Sequence, residues 1–420
     1  MSQSRKTFIR QAGLAALAPF ALAESNPIDY NDFKDQSEPT DEKYWRNIAR
    51  KYYPVARDYT NLENGYFGVQ AKPVLVAFQK NTAFVNTNLA RFTRKEYPAV
   101  FDGVKKQLGE FLGLPTDEFI ITRNATEALN VAIQGYPFKQ GDEVLINQLD
   151  YFSMIETFRM LEKRGLIKVN SFDMPLLPAS EDEIVDMYRS KLTEKTKVIL
   201  LTHVSNINGL IVPVARISAL AKERGIDVMT DSAHAIGQIP FRVRDLGCDF
   251  VGMNLHKWIG NPIGAGVLYV KKERITEMKA LYGDSSIAET NINKLAHFGT
   301  TPMAVMMTIP DSIAFHELMT IERITQRLHY LKSIWLSEFS SHPKIEPVTP
   351  SGANFSCAIA SFRVKGLDSS EVVKQLWANH KILTVARTLG EAGCVRVTPS
   401  LYNSADDMKK FIRVMKELFA

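Results

Sequence analysis

Short apolar runs alternate with helix-length amphipathic stretches through the middle of this chain. Phe119-Ile120-Ile121 leads into a helix predicted from Ala125, and Val144-Leu145-Ile146 into one from about Ser153. Lys197 to His203 reads as a strand and Pro213 to Arg224 as a helix. Ile226 to Thr230 then reads as a strand that ends at Asp231, and Phe250 to Met253 is a further short apolar run. Apolar strands separated by helices predict a mostly parallel sheet with helices on both faces. Ligands on such sheets sit beyond the carboxyl ends of the strands, so chemistry is expected in the residues just after each run.

The pattern changes after about residue 300. Amphipathic periodicity through 303–340 predicts a long helix or a helix pair. Short strands near 357–363 and 382–386 and helices near 369–379 and 405–418 follow. The expected organisation is an export signal over 1–23, a linker and N-terminal arm over 24–75, a large α/β domain over 76–299 and a smaller α+β domain over 300–420. Residues 24 to about 40 read as a polar linker, and Asn64-Gly65-Tyr66-Phe67-Gly68 as a glycine-bracketed turn in the arm. No internal repeat or low-complexity segment interrupts this plan.

Composition narrows the class. A chain of 420 residues is long enough for two domains with substantial cores, and its apolar and charged fractions are ordinary for a globular protein. The N-terminus stands apart: Ser4-Arg5-Lys6-Thr7-Phe8-Ile9-Arg10, a modest apolar stretch, then Ala21-Leu22-Ala23 is the layout of a cleavable export signal. Its removal takes away Arg5, Lys6 and Arg10, and the formal net charge falls from +5 to +2. A nearly neutral mature chain gives no argument for nucleic acid or acidic lipid as a partner. The three cysteines, Cys248, Cys357 and Cys394, have no metal-type spacing and are expected as thiols; no metal site is expected.

The chemistry concentrates where the apolar runs end. Asp231-Ser232-Ala233-His234 closes one strand, and Asn254-Leu255-His256-Lys257-Trp258 closes the next, with Lys257 placed 26 residues after Asp231. A lysine amine can condense with an aldehyde while an aspartate keeps a pyridine nitrogen protonated, and pyridoxal phosphate (PLP) is the cofactor that needs both. A strand-end aspartate and a solvated lysine are the plain alternative. Thr122-Arg123-Asn124-Ala125-Thr126 lies between a strand and a helix, where free N–H groups and the Thr126 hydroxyl can cradle a phosphate; taken in isolation, simple capping by Asn124 or Thr126 is the favoured explanation. Tyr151 can stack on a flat ring. Asn206 can hydrogen-bond a phenolic oxygen, or belong only to the turn that ends at Gly209. Arg396, in the short apolar stretch Cys394-Val395-Arg396-Val397, needs an anionic partner, either a substrate carboxylate or an internal salt bridge.

These motifs, in this order, resemble the class V aminotransferase group of fold-type I PLP enzymes, which includes cysteine desulfurases, C–S lyases and isopenicillin N epimerase. The resemblance spans roughly residues 60–418. It implies a large domain built on a mostly parallel seven-stranded sheet, with Lys257 as the Schiff-base lysine and Asp231 as partner of the pyridine nitrogen. It further implies that His234 and Asn206 contact the phenolic oxygen, that Tyr151 takes the ring-stacking place often held by histidine, and that Ala125, Thr126, Asn254 and His256 bind the phosphate. Gly299-Thr300 resembles the segment that contributes a phosphate contact across a homodimer. Arg396 and Asn64 are implied as substrate contacts. The basic N-terminus is similar to a twin-arginine signal, with Lys6 where a second arginine is usual, which leaves the general secretory route open. Similar exported members tailor peptide siderophores of the pyoverdine type in the periplasm.

Departures from the family pattern are informative. Desulfurases carry a cysteine on a mobile loop, but Ala386 to Gly393 runs directly toward Arg396 and that loop is missing. Cys394 does not occupy the nucleophile's place. The shared intermediate chemistry leaves epimerisation, transamination and β-elimination open, on an amino acid or an amino-acid-bearing peptide. A C–S β-lyase is the first alternative, and a binding protein without catalysis the second.

Overall fold

The computed structural model describes residues 28–34, 37–283 and 286–419. The expected export signal therefore lies outside the described residues. Seven strands build the main sheet: β1 (Phe119–Thr122), β2 (Asp142–Asn147), β3 (Ile167–Phe172), β4 (Thr196–Thr202), β5 (Asp227–Asp231), β6 (Phe250–Asn254) and β7 (Gly266–Val270). Their order is β1-β7-β6-β5-β4-β2-β3. All neighbouring pairs are parallel except the two that involve β7, which runs against both β1 and β6.

Continuous apolar runs form these strands because both faces are covered. Along β4, Ile199 and Leu201 join Val228, Val251 and Ile217 in one core layer. Val198 and Leu200 point the other way, to Met229, Phe250, Leu129 and Ala132. Alternate residues of one strand thus serve two helical layers. Parallel register sets Thr202 beside Asp231 and Asp231 beside Gly252, so the strands end level and their following loops share one rim.

A second, four-stranded antiparallel sheet has the order Val385–Arg387, Cys394–Val397, Ala360–Val364, Ile345–Pro347. Trp335, Phe339, Phe362 and Phe411 fill its core together with Leu62 of the N-terminal arm. Thr60–Asn61 of that arm pairs in parallel with Ile382–Leu383. The arm is thereby sewn into the C-terminal part of the chain, more than three hundred residues away.

Several expectations change in detail. The stretch expected as one helix or a pair over 303–340 forms three, Met303–Met307, Ile309–Met319 and Ile321–Glu338, broken by Pro310 at the second helix's start and by Thr320 at φ +53°. Phe33, in the segment read as a polar linker, lies 5.2 Å from Tyr52 and 5.9 Å from Phe315 between ring centroids, so that part is packed down. Strands β3 and β7 and the long helices Lys72–Lys95 and Tyr97–Leu112 are additions to the pattern expected from sequence. Cys248, Cys357 and Cys394 are all free and buried. Among the described residues, no helix is long and apolar enough to cross a membrane, and no group of metal-binding side chains gathers.

Candidate active site

The level strand ends bring the expected lysine, aspartate and histidine to one place. Asp231 ends β5 and is buried, with its carboxylate accepting a hydrogen bond of 2.9 Å from the Ala233 amide. Burial raises its pKa, and the nearby Lys257 cation works in the opposite direction. Lys257 follows β6 and is half-buried; its Nζ lies 3.1 Å from Nε2 of the buried His234. The indole N–H of Trp258 donates to Nδ1 of His234 at 3.4 Å. An indole nitrogen can only donate, so Nδ1 is the acceptor and the imidazole proton sits on Nε2, pointing at the lysine. That arrangement suits a neutral amine. Desolvation lowers the Lys257 pKa to about 8, with Arg396 and Arg387 adding to the drop and Asp231 opposing it. Desolvation likewise holds His234 well below the usual imidazole value, with the Lys257 charge as the next cause.

The loop that carries the lysine is clamped from both sides. His256 Nδ1 lies 3.2 Å from the Ala265 carbonyl, and the Gly68 amide donates to the His256 carbonyl at 2.9 Å. A Cβ at position 68 would stand 1.7 Å from the Lys257 carbonyl oxygen, so only glycine admits this approach of the arm. Burial lowers the His256 pKa to about 4.

The segment expected to face a phosphate lies at a helix start. Asn124 caps the helix Ala125–Gly135 by accepting from the Glu127 amide at 2.8 Å. The Ala125 amide, expected to face a phosphate, instead donates to Asn254 Oδ1 at 2.7 Å. Asn254 thus uses its oxygen to brace the helix start at Ala125. The Thr126 hydroxyl, at the positive end of the helix, makes no hydrogen bond among the described residues. Tyr151 is half-buried at the start of the helix Phe152–Lys163, its amide donating to Thr202 Oγ1 at 3.1 Å. The buried Asp150 beside it accepts from the amides of Asn147 and Thr202 at 2.8 and 2.9 Å and so anchors that turn to β4. Thr300 is exposed on the turn before Met303–Met307.

Asn64 makes its contacts within the fold. Its amide nitrogen donates to the Thr398 carbonyl at 2.9 Å and its oxygen accepts from Asn61 at 3.1 Å and from the Tyr402 hydroxyl. With both ends of the amide engaged by the fold, it is a clamp between arm and C-terminal sheet.

Arg396 is fully buried on its strand. Nη1 donates to the Asn206 carbonyl at 2.8 Å, and Nη2 pairs with Glu63 Oε1 at 2.6 Å. The internal salt bridge left open by the sequence is thus present. Desolvation lowers the guanidinium pKa to about 10, Glu63 opposing the drop and Arg387 adding to it. Glu63 and Arg387 were absent from the sequence-derived set, although each lies within a segment already singled out. The Asn206 side-chain oxygen, Glu63 Oε2 and the Nε atoms of Arg387 and Arg396 are buried without partners. Buried polar groups are nearly always satisfied, so these atoms near Arg396 are open to a partner beyond the protein's own groups.

Comparison with known proteins gives this arrangement a context. A family described as Aminotransferase class-V matches residues 71–413. The chain belongs to that family. It is 25% identical to an isopenicillin N epimerase of Amycolatopsis lactamdurans, over 89% of this chain and 98% of the relative. Among solved structures, the class-V chain is similar to an apo cysteine desulfurase from Thermococcus onnurineus NA1, with a TM-score of 0.78, 21% identity and coverage of 89% and 98% of the two chains. It is also similar to a lysine mutant of C-DES with glycine covalently linked to its PLP cofactor, with a TM-score of 0.77, 18% identity and coverage of 88% and 99%. Its architecture is the fold-type I α/β fold of class-V enzymes, with a seven-stranded, mostly parallel sheet.

Proposed function

We propose that this class-V protein is a PLP-dependent enzyme acting at the α-amino group or α-carbon of an amino acid or a peptide-linked amino acid. The observation that carries the reading is the Lys257 amine, its pKa lowered to about 8, held 3.1 Å from His234 Nε2 and near the buried Asp231 carboxylate. The residues fit the cofactor: an amine able to react with an aldehyde, a buried carboxylate for a ring N–H⁺, the Thr126 hydroxyl at a helix N-terminus for phosphate, and the Asn206 side chain, whose oxygen is buried without a partner. When bound, PLP supplies an electron sink for the bonds of the α-carbon.

The chain's own residues supply the rest. Lys257, once free, removes or returns the α-proton, and a pKa lowered to about 8 makes the unprotonated amine far more available than for an ordinary lysine. His234 holds that amine in place through Nε2 and is itself kept neutral. Burial raises the Asp231 pKa and the Lys257 charge lowers it, and a protonated ring nitrogen beside the carboxylate would act in the same direction as the lysine. Tyr151, Asn206, His234, Asn254, His256 and Thr126 orient the ring and phosphate, and Arg396 orients a substrate carboxylate. Thr300 contributes to the phosphate of a second copy in a homodimer. The N-terminal signal-like segment supports export, by the twin-arginine route, to the periplasm, and with it a role in peptide siderophore maturation.

Epimerisation or transamination is favoured over persulfide formation by Cys394. That thiol is buried on its strand, and burial pushes its pKa up to about 11, the opposite of a nucleophile. A C–S β-lyase needs no such thiol and is the second reading, favoured by the cysteine-processing relatives. Purified protein supplied with PLP is expected to be yellow, to bleach with borohydride and to retain a cofactor adduct on Lys257 by peptide mass spectrometry. A colourless protein with no adduct would refute the reading. α-Proton exchange in deuterated water without pyruvate or sulfide release separates the epimerase or aminotransferase branch from the lyase.

A further inference from the structure

The arginine side of the pocket holds two guanidiniums and one carboxylate. Glu63 Oε1 takes a full hydrogen bond from Arg396 Nη2 at 2.6 Å, while Arg387 Nη2 stands 3.6 Å from the same oxygen. The second pair is half made. Glu63 Oε2, Arg387 Nε and Arg396 Nε are buried and without partners. The trio thus carries one uncompensated positive charge and is short of one acceptor group.

The backbone around the trio is fixed. The Glu63 amide donates to Asn61 Oδ1 at 3.0 Å, the Asn64 amide to the Thr398 carbonyl at 3.2 Å and the Thr398 amide to the Leu62 carbonyl at 2.7 Å. Gly65 presses on Arg396, where a Cβ would lie 2.9 Å from Nη2. None of these backbone bonds holds the Glu63 side chain. A short rotation toward Arg387 would let both its oxygens meet the Nε and Nη2 edge of that guanidinium, the two-pronged geometry arginine favours. Arg396 would then be open to another carboxylate, and all three unpartnered atoms would be satisfied.

We propose that Glu63 is a specificity residue, a resident carboxylate that a substrate carboxylate displaces from Arg396 and that Arg387 then receives. Substrate capture is an exchange of anions on Arg396, so the pocket admits a ligand with a free carboxylate and holds Arg396 neutralised when none is bound. This deepens the functional reading above and rests on it for the identity of the ligand.

The test is calorimetric titration of the cofactor-loaded protein with butyrate, an amine-free monocarboxylate that cannot react with an aldehyde. In Glu63→Gln no charged competitor remains, and butyrate is expected to bind about tenfold more tightly than to the unaltered protein. In Arg387→Gln the displaced glutamate has no receiver, and binding is expected to weaken by about tenfold. Arg387 is partly exposed and its substitution leaves the core untouched, so this second variant stands even if the first folds poorly. Unchanged or weaker binding in Glu63→Gln, or unchanged binding in Arg387→Gln, overturns the exchange and leaves Glu63 a fixed counter-ion. The cofactor adduct on Lys257 reports separately on the functional reading, because the order of butyrate affinities does not depend on it.

Discussion

The two walls of the pocket are made in different ways. The lysine wall, Asp231, His234 and Lys257, comes from the ends of adjacent parallel strands within one sheet. Sheet register alone brings these groups together, and 26 residues of chain separate the aspartate from the lysine. The arginine wall joins Glu63 of the N-terminal arm to Arg387 and Arg396 of a separate antiparallel sheet, across more than three hundred residues. One wall is local and dominated by desolvated, neutral-leaning groups. The other is long-range and dominated by opposite charges in contact. The first suits proton handling and the second suits recognition.

If that division is right, the largest loss should come from the lysine wall. Lys257→Ala is expected to lower turnover by at least about a thousandfold while the protein keeps its melting temperature, since the half-buried side chain is peripheral to the core. A variant with substantial residual turnover would remove Lys257 from the chemistry. Asp231→Asn keeps the shape but removes the charge that faces a ring cation. A drop on the order of a hundred- to a thousandfold in kcat is expected, together with a shift of the bound cofactor's absorbance. Equal loss in kcat and in cofactor affinity would instead make it a binding group.

The pH behaviour sharpens the same contrast. The Lys257 pKa is lowered to about 8, against about 10.4 for an ordinary lysine. In cofactor-free protein, labelling of Lys257 by an amine-directed reagent should be half-maximal near pH 8 and fall below it, while exposed lysines respond near pH 10. The folded state disfavours the protonated amine, so this group's contribution to stability improves as pH rises from about 8 to 10.4 and is flat below. Labelling of Lys257 that follows the exposed lysines would mean the amine is not desolvated in solution.

The same contrast explains what was legible beforehand. Lys257, Asp231 and His234 were readable because a strand end followed by a polar loop is a local pattern with a known place on a parallel sheet. The helix start at Thr126 was readable for the same reason, but the contact of Asn254 with the Ala125 amide was not: it follows from β7 bringing the ends of β1 and β6 level, and β7 itself was missed. Its five residues run antiparallel, without the helix that announces each parallel strand. Arg396 was flagged as buried, yet its partner was not found, because nothing in Leu62-Glu63-Asn64 says which distant strand it faces. The Thr60–Asn61 pairing with Ile382–Leu383 decides that, and two-residue strands leave no periodicity to read. The contacts of Asn64 with Thr398 and Tyr402 were not legible, since an Asn-Gly turn discloses where a chain bends and not which carbonyls its amide meets.

One loop of the arm touches both walls, and this gives the smallest but most discriminating prediction. Gly65 packs on Arg396 and Gly68 on the Lys257 carbonyl. The Gly68 backbone has no positive φ, so alanine there meets a purely steric obstacle, with a Cβ that would lie 1.7 Å from a backbone oxygen. Something must move, and the cost of such overpacking is about 1–3 kcal/mol. If the lysine loop yields, the Gly68 amide bond to the His256 carbonyl lengthens and the amine shifts from His234, so cofactor binding weakens while butyrate binding at the arginines holds. If the arm yields, Glu63 is carried with it and butyrate affinity changes while the Lys257 labelling profile does not. Gly68→Ala measured by both readouts therefore reports which wall is the more rigid, and a variant in which both move together would show that arm and lysine loop respond as a single unit.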